Sequence, residues 1–201
     1  MKIKSFVFAT ILALPLNAFA EEPTPPKPTT PTEKSAKLSD DDVKIVAHIH
    51  HVNVMQIDLG KQAKLKGTAA VKRFGETLIK DHTTADKELA AMAKKKGLAK
   101  IPAAEPATEA DKAEMKQQKE SIAALKKLKG ADFDREYLRM VIDDHQKELA
   151  KSDVFIASAQ DADLKTMIEA NKTTLQRHHD AAKELQQGEA QASATPKAPK
   201  N

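Results

Sequence analysis

The sequence predicts an all-α protein: an antiparallel four-helix bundle with an extra helix in a long crossover connection. Three observations predict it. Apolar residues recur at intervals of three and four through most of residues 40–187, the period of helices that each bury one face. Prolines inside that stretch are confined to Pro102 and Pro106, so the periodic runs are uninterrupted. Val, Ile and Thr are not gathered into alternating runs of the kind that mark strands.

The elements follow in order. Residues 1–20 read as an export signal, with Lys2 and Lys4 at the start, an apolar run from Ser5 to Leu16, and the small-x-small pattern Ala18-Phe19-Ala20 before a cleavage site. The run is too short to span a bilayer as a mature helix. Residues 21–38 are rich in Pro, Thr and Lys and read as a disordered linker. The domain occupies 39–188, the common size for a single core. Residues 189–201 read as a disordered tail.

Within the domain, helices are predicted at 40–66, 69–96, 109–129, 133–160 and 163–187. Ser39 with Asp42, Thr108 with Asp111, and Asp132 with Arg135-Glu136 supply start signals. Gly67, Gly97, Gly130 and Gly188 supply stops. The first helix is apolar over a wide arc: Ile45, Ile49, Val52, Ile57, Leu59 and Ala63. The second carries the stripe Val71, Phe74, Leu78, His82, Ala85, Leu89 and Met92. The fourth carries Leu138, Val141, His145, Leu149 and Ile156, and the fifth Leu164, Met167, Asn171, Leu175, His178, Ala182 and Leu185. Each of the last three seams holds one histidine near its middle. Short links at Gly67 and near Asp161 predict two hairpins, and the long connection 98–131 predicts a crossover. Two hairpins and a crossover make a ferritin-like bundle, a fold that places cofactor sites in mid-core.

Two runs echo each other: Phe74 to Asp81-His82, and Tyr137 to Asp144-His145. In both, an aromatic residue, an aliphatic pair and Asp-His fall at the same offsets. His145 and His178 each lie about 16 residues from the second turn, roughly 25 Å up their helices. His82 lies about 14 residues from the first turn, level with Asn53 and near Gln56. The candidate metal set is therefore His82, His145, His178 and Gln56, with Asp81 and Asp144 beside it. Neutral imidazoles suit iron, copper or zinc. Adjacent helical residues point about 100° apart, so Asp81 and His82 cannot both face the core. Ile79, Ile142 and Leu175 occupy the positions three before each histidine, so the Glu-x-x-His pairs of di-iron bundles are absent. A second candidate cluster is His48, His51 and Met55, which share one helix face. Its imidazole and thioether donors suit copper.

Composition narrows the function classes. The chain has no cysteine, which excludes disulfides and thiolate chemistry. Its formal charge is +4; removing Lys2 and Lys4 leaves 31 basic against 29 acidic residues, or +2. That balance and an aromatic content of 3% argue against a nucleic-acid partner. Lys94 to Lys96 and Lys126-Lys127 sit where helices end and favour the helix dipole. No phosphate loop, nucleophile elbow or catalytic triad is present.

The run Met55-Gln-Ile-Asp-Leu-Gly60 with Ala63, the Phe74 to His82 run, Ala90 with Gly97 and Ile101-Pro102, the segment holding Phe133, Tyr137 and His145-Gln146, and Leu175, His178, Ala182 and Leu185 together resemble the domain-of-unknown-function family four-one-four-two. The resemblance covers about residues 40–187. It implies an exported bacterial protein, often described as a membrane or outer-membrane protein, with a ferritin-like bundle. It implies that His82, His145 and His178 are the family's polar positions, and that Gln56 stands where the family usually has Glu. It implies no particular activity.

The expectation is an exported, periplasmic or secreted bundle that binds a transition metal ion for storage, buffering or stress protection. The alternative is a non-catalytic envelope protein with a periplasmic protein partner, whose histidines only hydrogen-bond in the core. An enzyme using the His/Asp level for acid–base chemistry is a third, weaker reading.

Overall fold

The computed structural model describes residues 37–194, with side chains up to residue 188. The expected export signal, nearly all of the linker, and the end of the tail lie outside the described residues. Five helices and no strands make up the described chain: α1 (Asp40–Lys66), α2 (Ala69–Lys95), α3 (Glu109–Leu125), α4 (Gly130–Ser158) and α5 (Ala162–Ala194). They form a helical bundle, with α1 packed on α2, α4 on α5, and further contacts from α2 to α5 and α1 to α4. Among the described residues no helix is long and apolar enough to cross a membrane.

The caps explain most boundaries. Ser39 and Asp42 form a reciprocal capping box at α1, as do Thr108 and Asp111 at α3, each satisfying backbone donors that a helix start leaves free. The start of α4 departs from expectation. Lys129 is its N-cap, without a side-chain cap bond, and Asp132 instead pairs with Arg135. Gly97 (φ 86°) and Gly130 (φ 56°) adopt left-handed backbone, which side chains resist, so one ends α2 and the other turns the chain into α4. Gly188 ends nothing: α5 continues to Ala194, beyond the predicted stop at 187. A lone glycine costs a helix only about 1 kcal/mol, which the neighbouring good helix formers absorb.

Two buried aspartates tie the helix pairs together. Asp42 accepts from the backbone N–H of Gln160 at 2.9 Å, joining the start of α1 to the α4–α5 turn. Asp134 accepts from the N–H of Thr68 at 3.0 Å, joining the α1–α2 turn to the start of α4. Lys96 bridges Asp161 and Asp163, each at 2.7 Å. Gly60 and Gly75 let α1 and α2 touch backbone to backbone, since a Cβ on Gly60 would lie 2.7 Å from the Gly75 carbonyl oxygen.

The apolar core falls into two clusters. One gathers Leu59, Ala63, Phe74, Leu78, Tyr137, Val141 and Ala182 with their neighbours. The other gathers Ile45, Val46, Leu89, Met92, Leu164 and Ile168 with theirs. On each of the four core helices a buried polar residue falls between the two sets: Asn53, His82, His145 and His178. Ile57, expected on the core arc, is only half-buried; Met55 and Gln56 take the interior instead.

Candidate metal centre

The three seam histidines meet. Ring centroids are 5.7 Å apart for His82 and His145, 5.3 Å for His82 and His178, and 5.4 Å for His145 and His178. One ligand-capable nitrogen from each lies within 4.8 Å of the others. Their exposures are 4%, 1% and 1%. The echoed runs explain half of this: Phe74 packs edge-on against Tyr137 at 6.4 Å, and eight residues further along each helix His82 packs against His145. Helix repeats with equal offsets bring equivalent residues together twice.

Each imidazole is fixed through one nitrogen. Nδ1 of His82 donates to Oδ1 of Asn53 at 2.9 Å. Nδ1 of His145 donates to the Val141 carbonyl at 2.9 Å. Nε2 of His178 donates to Oδ2 of Asp81 at 3.0 Å, and Arg177 pairs with the same carboxylate oxygen. A carbonyl or carboxylate oxygen only accepts, so these contacts place the proton on that nitrogen. The opposite nitrogens, Nε2 of His82, Nε2 of His145 and Nδ1 of His178, are buried without a hydrogen-bond partner. Each therefore presents a lone pair.

The imidazoles are held neutral. Burial first, and then mutual repulsion with His145 and His178, pushes His82 down to about 2. Burial, and then the neighbouring His178, pushes His145 down to about 3. His178 is lowered by burial, against the opposing pull of Asp81. Ligands that are already deprotonated release no protons when a metal binds.

The other expected site residues take several positions. Asp81 reaches the triad only through His178. Asp144 stands apart from the triad; it lines a cleft between α1, α3 and α4, where burial pushes its carboxyl up to about 6. Gln56 is 1% exposed, one turn along α1 from Asn53, and neither its Oε1 nor its Nε2 has a partner. The second cluster keeps together: His48, His51 and Met55 all line the same cleft as Asp144, and His48 is also engaged by Glu148 at 2.8 Å and rests edge-on against Phe155. Sequence reasoning missed the Val141 carbonyl, which no residue type announces. It also missed the buried hydroxyl of Tyr137, which has no partner. A cavity of about 50 Å³ adjoins His82 and Asn53, with Asp81, Glu148, Asn171 and Thr174 on its walls.

No curated protein matches the chain in sequence. Among solved structures, CopM in the Cu(I)-bound form is similar, with a TM-score of 0.55 and 17% identity over 74% of this chain and 94% of that one. At that identity the likeness is one of fold. The family described as Domain of unknown function (DUF4142) matches residues 27–185, and the chain belongs to that family.

Proposed function

We propose that this is an exported, ferritin-like bundle of periplasmic or secreted location that holds a transition metal ion at His82, His145 and His178, for storage, buffering or stress protection. One observation carries the reading: three buried imidazoles adjoin one another, and each has one nitrogen committed to an acceptor and the other without a partner. Histidines serving only as a core hydrogen-bond network would have both nitrogens satisfied, because an unmade buried hydrogen bond costs about 1–3 kcal/mol. Contacts along the first hairpin, Asn53 with His82 and His50 with Asp86, fall in partner number as they rise in α1, which supports the antiparallel arrangement.

The donor set favours copper or zinc over iron. It is all nitrogen, and no carboxylate enters it, whereas imidazole suits copper and zinc well. Three histidines leave a fourth position of a tetrahedral zinc to water or another oxygen; a three-nitrogen set serves copper(I) without one. The fold relative CopM was captured with Cu(I), which supports testing copper first. Metal analysis of the mature protein purified without an affinity tag, with equilibrium dialysis against copper(I) and zinc, tests the reading. Stoichiometric metal that His145→Ala abolishes is expected. No retained metal at micromolar concentrations would sink it.

A further inference from the structure

We infer that the cleft between α1, α3 and α4 is a second cation site, of thioether, imidazole and carboxylate chemistry, from which an ion is passed inward to the histidine triad. The inward step rests on the triad reading; the cleft site does not.

The cleft exists because α3 buries only Leu125. A helix that is polar nearly all round cannot seal against its neighbours. Asp111, Glu114, Met115, Gln118, Ser121 and Ile122 are only half-buried, and the first four face a cavity of about 330 Å³. Among the donors that line it from three helices are His51 and Met55 of α1, Met115 of α3 and Asp144 of α4; His48 lines it too but is paired with Glu148. Oδ2 of Asp144 is buried there without a hydrogen-bond partner. Five carboxylates and three lysines line the cavity, a balance that draws cations.

The donor types choose the ion. Thioethers are soft ligands that add little for calcium or magnesium, and with imidazole they select copper(I). The chain has no cysteine, so its only sulfur ligands are methionines. The triad, by contrast, offers nitrogen alone.

The cleft and the triad share a wall. Glu148, Val52 and Phe155 line both the 330 Å³ cleft and the 50 Å³ cavity beside His82. Glu148, in that wall, pairs at 2.8 Å with His48 on the cleft side.

The test is X-ray absorption and chelator competition on the full mature chain loaded with copper(I). Two bound ions are expected, one with sulfur scattering. Met55→Leu with Met115→Leu should leave one ion in an all-nitrogen environment. That ion should load more slowly, and Asp144→Asn should cut the loading rate about tenfold or more, the scale on which charged clefts raise capture. His145→Ala should keep the sulfur-ligated ion. Nitrogen-only copper in the parent chain, with stoichiometry and loading rate untouched by the methionine changes, overturns the cleft and leaves the triad. Sulfur-ligated copper without a nitrogen site overturns the triad and leaves the cleft as a binding site. No bound copper overturns both. The methionine variants keep the triad and the volume of their side chains, so they test the inference even if His145→Ala fails to fold.

Discussion

Asp81 binds the proton of His178, not the unpartnered nitrogen of its own neighbour: its carboxylate lies 3.0 Å from Nε2 of a histidine 97 residues away. The adjacent residues Asp81 and His82 thus take different parts in the histidine triad. His82 enters the triad directly, and Asp81 orients His178 from the side. A carboxylate behind a ligating histidine fixes its tautomer and raises its basicity.

Asp81→Asn should therefore keep metal stoichiometry but weaken affinity by about 10–100-fold. Competition against a chelator of known affinity checks this. Unchanged affinity would mean that Asp81 is only a surface partner of Arg177.

Asn53→Leu removes the acceptor of the His82 Nδ1–H, which is then buried and unpaired. Stability of the metal-free protein should fall by about 1–3 kcal/mol, read as a lower urea midpoint at unchanged slope. A neutral effect would show that His82 finds another acceptor.

Acid should destabilise the metal-free protein before ordinary carboxylates titrate. In the unfolded chain these histidines take up protons near 6.5, whereas folded His82 and His145 do so only near 2 and 3. Between those values the unfolded state binds more protons, so stability rises with pH. It is complete above about 6.5 and is lost as pH falls, each histidine adding a slope that approaches about 1.4 kcal/mol per pH unit. Asp144, raised from 3.8 to about 6, opposes this with one proton in its own window. At least one histidine proton then remains in excess. Melting temperature should drop from pH 7 to pH 5, and bound metal should raise it at both pH values. A flat profile over that range would count against buried neutral imidazoles.

Gly75→Ala should destabilise despite the better helix propensity of alanine. The added carbon would meet the Ala63 Cβ at 2.6 Å and the Gly60 carbonyl oxygen at 2.8 Å. Neither can rotate away. The propensity gain of about 1 kcal/mol is outweighed by overpacking of about 1–3 kcal/mol. Thermal denaturation checks the sign, and Glu76→Ala, exposed on the same helix, is the control.

By itself the sequence determined the helices and the seam on which each histidine lies. Helical period is local, so Phe74, Leu78 and His82 share a face whatever packs against it. The capping boxes at Ser39 and Thr108 are equally local, spanning three residues. Height counting from the turns also put His82 beside Asn53. Only the tertiary structure decided which nitrogen of each histidine is committed and which is free. Those acceptors arrive from other helices or from the backbone, and no local pattern encodes them. It also decided that Asp81 and Asp144, at matching places in the echoed runs, part company. Asp81 faces α5 and its His178, whereas Asp144 faces the cleft that a poorly buried α3 leaves beside α1. The two aspartates share one local sequence pattern, and their different helix neighbours give them different chemistry.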